Sequence, residues 1–372
     1  MATRPTTPPQ SRRLSALRRL FDAQDLDALL VTHLPNIRYL TGFTGTAAQL
    51  VVTRHACLLV VDFRYYRQAA REAPGCTPVQ SHGAGFEDAT VEAILLSGAR
   101  RVGFESGHLT FWDHGRLEVR LGKAARLVPA GGQVEALRLV KDAHEIEALR
   151  TASRLTREAL ETVLAELRPD DTEASIAARL EARFRETSLE GAAFDTLVAS
   201  GARSALIHAR VSPRAVGKGE MLLIDCGASY HGYKADMSRT VMPGGKSRRF
   251  EAIEGAVREA LEKVIAAIRP GAVLGELDAI ARSALAEHGL GEAFVHGLGH
   301  GIGLEVHEEP WLVPGEQGVL AAGMAIAVEP GVYLEGWGGV RLEETILVTP
   351  KGCEVLTRGP RASGVTGVLS LD

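Results

Sequence analysis

The sequence predicts an α+β protein in two parts: a smaller α/β region over residues 12–130 and a larger region over 138–359. Two patterns lead to that fold class. In the first third, short β-branched or leucine-rich runs alternate with helical stretches. Further on, long amphipathic helices stand apart from groups of short strands, the signature of helices segregated against a mostly antiparallel sheet. The length of 372 residues is compatible with two or three domains.

Within the first region, LDALLVT (26–32), QLVVT (49–53) and CLLVVD (57–62) read as strands separated by polar, glycine-containing turns. Helices are expected over 64–72 and 112–121, with a strand at 101–104 between them. The boundary falls near 131–140, opening on Gly131-Gly132. Lys141–Leu167 then places Ile146, Leu149, Leu155, Ala159, Val163 and Leu167 at helical spacing, and Pro169 stops the helix. A second helix covers 172–186. Strands follow at 220–226 and 235–242, joined through Gly227 and Gly232. The helix at 247–268 aligns Phe250, Ile253, Val257, Leu261, Val264 and Ile268 on one face and ends at Pro270-Gly271. Another helix at 274–288 precedes glycine-rich turns and strands at 324–329 and 339–348.

Composition narrows the function. With 42 basic and 46 acidic residues the formal charge is -4, and 45% of residues are hydrophobic, which excludes a disordered chain. Near-neutrality gives no reason to expect nucleic acid as a partner. No apolar run is long enough to span a membrane, and the basic first twenty residues lack a signal-peptide core, so a cytoplasmic location is the default. Their proline-rich start reads as a frayed leader, and Arg12, Arg13, Arg18 and Arg19 as solvated surface. Cys57, Cys76, Cys226 and Cys353 are scattered and form no disulfide framework. Glycine is in excess, at 40 residues, yet no Gly-x-y repeat is present. Twelve of those glycines fall within 291–340.

The chemistry concentrates in the second region. Asp225 ends an apolar strand, and Asp236 lies eleven residues later, so a hairpin or bent strand pair can bring the two carboxylates together. Neighbouring carboxylates repel, and a divalent cation removes the conflict. HGLGHGIGLEVHE (296–308) sets His296, His300 and His307 among glycines that oppose a helix, and it is not an HExxH motif. Glu329 follows the apolar run AIAV, and alternation in VRLEETILV puts Arg341 and Glu343 on one face. Taken singly, each of these residues also suits a turn or an ordinary ion pair. As a set, Asp225, Asp236, His300, Glu329 and Glu343 form an oxygen-rich group with one imidazole, which suits Mn²⁺, Co²⁺ or Zn²⁺ better than an all-protein calcium cage.

IDCGASYHGYKADMSRT, HGLGHGIGLEVHE, VEPGVY and VRLEE, in that order, resemble the metal-site blocks of the pita-bread metallopeptidases (family M24), particularly Xaa-Pro aminopeptidases and Xaa-Pro dipeptidases (prolidases). SGARSALIHA resembles an earlier block with a substrate-side histidine, and NIRYLTGFTG and DFRYYRQA resemble pieces of a creatinase-like amino-terminal domain. The resemblance covers nearly the whole chain. It implies a pita-bread catalytic domain after a smaller creatinase-like domain, and two divalent ions per subunit, Mn²⁺ first and Co²⁺ or Zn²⁺ as alternatives. Asp225 would chelate one ion, Asp236 and Glu343 would bridge both, and His300 and Glu329 would complete the second site. Glu329 would also shuttle a proton. His208 and His307 would contact the substrate or stabilise the tetrahedral intermediate, and His296 would line the leaving-residue pocket. Arg341 and Tyr333 would orient carboxylates from outside.

The implied substrates are peptides with proline at position two, the implied assembly is a homodimer, and neither nucleic acid nor membrane is a partner. An Xaa-Pro aminopeptidase is the leading expectation, with a prolidase restricted to dipeptides second. A noncatalytic peptide-binding protein on the same fold is a third reading, which the complete ligand set opposes. Arg203 stands where related enzymes often carry asparagine, and Ile207 and Ala209 where proline and glycine are common, so the shape of the substrate loop departs from the family pattern. Cys226, beside Asp225, is expected to point away from the metal side.

Overall fold

A computed structural model describes residues 9–82, 85–245 and 247–358. The chain divides into two compact units, Met1–Arg138 and Leu139–Asp372.

The first unit runs α1 (Pro9–Leu20), β1 (Ala28–Val31), α2 (Leu34–Thr41), β2 (Gln49–Thr53), β3 (Cys57–Asp62), α3 (Tyr66–Glu72), β4 (Thr77–Ser81), α4 (Glu87–Ser97), β5 (Arg101–Phe104), α5 (Phe111–Leu121), β6 (Arg126–Pro129) and α6 (Gln133–Arg138). The strands form one mixed sheet in the order β4-β3-β2-β1-β5-β6, antiparallel through β3-β2-β1 and parallel at both flanks. All four residues of the central β1 are buried, as a strand covered on both faces requires. The parallel register of β3 and β4 pairs Leu58 with Thr77 and so brings together Cys57 and Cys76, each the residue just before that pair, as a disulfide with Cα atoms 4.7 Å apart. Sequence spacing gave no sign of that pair.

Two of the arginines read as solvated surface are not. Arg13 is buried, donates from Nη1 to the Tyr39 carbonyl at 2.9 Å and stacks on the Tyr39 ring. Arg18 donates to the carbonyls of Thr53 and Ala56 at 2.9 and 3.0 Å. Both project from the face of α1 that also buries Leu14 and Leu17, where long stems cover apolar surface while the head groups find carbonyls. The expected frayed leader, the proline-rich start before Pro9, lies outside the described residues.

The second unit comprises α7 (Ala143–Ala165), α8 (Glu173–Ser188), β7 (Leu197–Ser200), β8 (Leu222–Cys226), β9 (Ser229–Tyr230), β10 (Tyr233–Lys234), β11 (Met237–Val241), α9 (Arg248–Ala267), α10 (Leu274–Glu287), β12 (Gly299–Gly301), β13 (Glu308–Leu312), β14 (Ala325–Val328), β15 (Gly331–Leu334), β16 (Gly338–Arg341), β17 (Glu344–Thr349) and β18 (Gly352–Val355). Capping boxes start α7 at Asp142/Glu145 and α8 at Thr172/Ser175. Two antiparallel sheets, β11-β8-β7 and β13-β12-β14-β17-β18, each back onto a helix pair. One apolar cluster joins Leu160, Val163, Leu180 and Phe184 of α7 and α8 to Leu222, Ile224, Cys226 and Met237. The other joins Phe250, Val257, Leu261, Leu277 and Leu285 of α9 and α10 to Leu312, Ile326 and Ile346. Each large side chain so buried contributes about 1.5–3 kcal/mol. Cys226 thus packs in apolar surroundings, turned from the carboxylate beside it.

Two details differ from the sequence expectation. The connection between β8 and β11 folds into a ribbon, β9–β10, whose tight turn uses positive φ at His231 (49°) and Gly232 (83°), as a primed hairpin turn demands. The segment 339–348 is not one strand. It breaks between β16, which pairs with β15, and β17, which pairs with β14. At the break the Glu343 amide donates to the Ser238 carbonyl at 3.1 Å, leaving Glu343 on the same side as Arg341.

Candidate metal centre

Two strands and three strand ends place the charged groups, with Glu343 at the break between β16 and β17. Asp225 lies on β8 opposite Ser238 of β11, and Asp236 directly precedes β11. His300 is the middle residue of β12, paired with Trp311 on one side and Ala327 on the other. Glu329 follows β14 and is pinned by its amide to the Leu298 carbonyl at 2.9 Å. The glycines flanking His300 have a steric reason. A Cβ on Gly299 would stand 2.0 Å from the Ala327 carbonyl oxygen, and one on Gly301 would stand 2.1 Å from that of Glu309. Only glycine lets β12 lie that close to both neighbours.

The side chains of all five expected ligands converge. Ligand atoms of Asp225, Asp236 and Glu343 lie within 4.8 Å of one another, as do those of His300, Glu329 and Glu343, and those of Asp236, His300 and His307. Glu343, Asp236 and His300 therefore each belong to two groupings, and of these the two carboxylates have a second oxygen to share. His300 Nε2 is 3.8 Å from both Asp236 Oδ2 and Glu329 Oε1. Its Nδ1 faces the Gly301 carbonyl at 3.0 Å, and because a carbonyl only accepts, the proton sits on Nδ1 and Nε2 presents a lone pair to the carboxylates.

Arg341 is a cation buried against this group. Nη2 donates to Asp225 Oδ2 at 2.6 Å, Nε to Ser238 Oγ at 2.8 Å and Nη1 to Tyr333 Oη at 3.0 Å. Ser238 Oγ in turn donates to Glu343 Oε2 at 2.8 Å. Tyr333 Oη donates to His296 Nε2 at 3.0 Å, since His296 Nδ1 is committed to the Gly297 carbonyl at 2.8 Å. His307 is exposed, its ring set against that of His300 with centroids 4.4 Å apart. His208 lies on an exposed loop, outside the ligand groupings, close enough to act electrostatically on His296 and His307. Arg341 Nη1 also reaches the Ile207 carbonyl at 3.4 Å, tying that loop to the centre. Ser238 was missed by sequence reasoning, although its place two residues after Asp236 puts it on the same strand face.

One guanidinium does not neutralise four carboxylates. Burial, reinforced by the Glu343 and Asp225 charges, pushes Asp236 well above the usual carboxylate range. Burial and the Asp225 and Glu329 charges do the same to Glu343. Burial pushes Glu329 up to about 8 against the opposing pull of Arg341. Burial lowers His296 and His300 to about 4, so both imidazoles are neutral at physiological pH. Asp225 Oδ1 and Asp236 Oδ1 are buried without any protein hydrogen-bond donor. Two orphaned carboxylate oxygens, mutually repelling acids and an imidazole lone pair at one point are the donor set that divalent cations satisfy. In the first unit, His33, His108 and Glu135 also lie close together, but the two imidazoles stack at 3.6 Å with planes 9° apart, so their lone pairs do not converge on one ion.

Residues 147–350 match the model of metallopeptidase family M24, and residues 13–140 match that of the creatinase/prolidase N-terminal domain. The chain belongs to metallopeptidase family M24. It is 33% identical to the Xaa-Pro dipeptidase of Pyrococcus horikoshii, over 94% of this chain and 98% of that protein. Among solved structures, the Xaa-Pro dipeptidase from Bacillus anthracis superposes with a TM-score of 0.91 at 36% identity, covering 97% of this chain and all of that one (100%). The X-Pro aminopeptidase from Thermotoga maritima superposes with a TM-score of 0.86 at 33% identity, over 95% and 100% of the two chains. The fold is accordingly the α+β pita-bread domain preceded by a creatinase-type domain, and the family is one of divalent-metal peptidases. Among the described residues, no helix is long and apolar enough to cross a membrane.

Proposed function

We propose that the chain is an Xaa-Pro peptidase that hydrolyses the bond between an amino-terminal residue and a following proline. The observation that carries the reading is the convergence of Asp225, Asp236, His300, Glu329 and Glu343, with Asp236 and Glu343 each shared between ligand groupings. Asp225, Asp236 and Glu343 would hold one divalent cation, and His300, Glu329, Asp236 and Glu343 the other, with Mn²⁺ the first choice and Co²⁺ or Zn²⁺ also suited to the donors. When bound, such a pair supplies Lewis acidity and a water acidic enough to lose its proton near neutral pH.

The chain's own residues do the remaining work. Arg341 and Ser238 fix Asp225 and Glu343 in place through hydrogen bonds of 2.6 and 2.8 Å. Glu329 would take a proton from the attacking water and pass it to the departing proline nitrogen. His208 contacts the substrate, and His307 donates to the oxygen that gains charge during attack. His296, held neutral and oriented by Tyr333 at 3.0 Å, lines the pocket for the leaving residue. Proline suits such a pocket because its ring fixes φ and its nitrogen carries no hydrogen to satisfy.

Dipeptides are the first substrates to try, because the relatives from Pyrococcus and Bacillus are named dipeptidases. The aminopeptidase reading is favoured by the Thermotoga structure. Chromatographic assay of Xaa-Pro, Xaa-Ala and Xaa-Pro-Yaa-Zaa decides. Cleavage of Xaa-Pro well above Xaa-Ala is expected. Equal or better turnover of the longer peptide assigns the aminopeptidase, and no preference for proline defeats the proposal. A cytoplasmic homodimer completes this reading.

A further inference from the structure

The loop that carries His208 leaves β7 at Ser200 and returns at Ser212, and both ends meet one carboxylate. Glu173, the first residue of α8, is wholly buried. Its Oε1 accepts from the amide and the hydroxyl of Ser200, both at 2.8 Å. Its Oε2 accepts from the amide of Ser212 at 3.1 Å and from the hydroxyl at 2.6 Å. Arg203 Nε lies 3.3 Å from both oxygens, and its Nη2 donates to the Arg210 carbonyl at 2.7 Å, so the guanidinium braces the loop across His208. Amides at the start of α8, which have no acceptor within a helix, take part as well: Glu173 donates to the Arg214 carbonyl at 3.0 Å and Ala174 to that of Ser212 at 3.1 Å.

Burial by itself would raise the Glu173 pKa, but the hydrogen bonds from Ser212 and Ser200 and the Arg203 charge outweigh it and hold the carboxyl below its ordinary range. At neutral pH the clamp is therefore a charge-assisted one. Glu173 touches none of the five residues that would hold metal. Arg203, at the position where related enzymes often carry asparagine, adds a second point of attachment on the loop side.

We propose that Glu173 is the positioning residue of the His208 loop, joining both loop ends so that His208 is held ready for substrate. The proposal rests on the reading of His208 as a substrate contact. Its consequence is a split in kinetics: loosening the clamp weakens substrate capture and leaves the metal centre and the bond-breaking step intact.

The test uses the full chain loaded with Mn²⁺ and the variants Glu173→Gln, Ser212→Ala and Ser212→Thr. Ser212→Ala is the milder arm, because it keeps the buried charge and removes one loop-side donor. Amide hydrogen exchange over 201–212 should quicken about tenfold in Glu173→Gln and Ser212→Ala, the loss of a hydrogen bond to a charged group. KM for an Xaa-Pro dipeptide should rise about tenfold by the same loss, with kcat and metal content near wild type, whereas Ser212→Thr, which keeps the hydroxyl donor, should hold exchange and KM near wild type. Unchanged exchange in 201–212, or a fall in kcat with loss of metal at constant KM, overturns the proposal. Faster exchange with unchanged KM also overturns it, and a normal KM in His208→Ala would then trace the failure to the role assigned to His208.

Discussion

Lowering the pH should weaken metal binding by an amount set by the buried carboxyls. Glu329 is pushed up to about 8, and Asp236 and Glu343 well above the usual range, so near neutrality a cation must displace protons. For Glu329 taken by itself, roughly one molecule in ten is ionised at pH 7 and one in a hundred at pH 6, so apparent affinity falls about tenfold per pH unit below 8 for each proton displaced. His300, lowered to about 4, is already neutral and releases none. Titration calorimetry with Mn²⁺ in two buffers of different ionisation enthalpy counts the protons directly, and at least about one per chain is expected at pH 7. The metal-free protein gives the complementary sign. A carboxyl whose folded pKa exceeds its unfolded value binds more protons in the folded state, so stability falls as pH rises from the unfolded value near 4.5 through about 8. An affinity flat between about pH 6 and 8, with heats independent of buffer, would refute the reasoning.

Three substitutions probe other parts of the account. Arg341→Lys keeps the charge but cannot reach Asp225, Ser238 and Tyr333 together, and kcat/KM or metal affinity should drop about 10- to 100-fold; unchanged values would remove Arg341 from the site. Gly299→Ala drives a Cβ into the Ala327 backbone and should cost about 3 kcal/mol in urea unfolding, whereas a near-neutral result would mean the strands separate freely. Lys141→Met removes the buried ammonium 2.9 Å from Glu308, beside His307, and should destabilise by about 3–5 kcal/mol, with Lys141→Met/Glu308→Leu recovering most of it in a double-mutant cycle.

Much of the site was legible because its residues are chemically unusual where they stand. Acids at the ends of apolar runs, such as Asp225 and Glu329, have few reasons to be there other than ligation or pairing. Glycines around His300 argued against a helix there, and the 2.0 Å and 2.1 Å clashes that a Cβ would make at Gly299 and Gly301 show what they permit, close approach of neighbouring strands. Long helices were legible from their apolar faces, as in Phe250, Ile253, Val257 and Leu261. Short elements were not. The helix Leu34–Thr41 holds only eight residues, and its Pro35 reads equally as a turn. The break at Leu342–Glu343 is dictated by pairing with β14 and β15, which local alternation does not encode. Glu173 and Ser238 are ordinary residues whose roles arise from partners 27 to 39 and 105 positions away, respectively. Arg13 and Arg18 were misread for the same reason, since their carbonyl partners lie 26 to 38 positions along the chain.

The central claim is a pair of cations held through shared Asp236 and Glu343. Measuring bound Mn²⁺ per chain by elemental analysis, alongside Xaa-Pro hydrolysis, tests it most directly. The account predicts about two ions per wild-type chain, and in Asp236→Asn about one or fewer with most activity gone. Near-normal metal content and turnover in Asp236→Asn would contradict it.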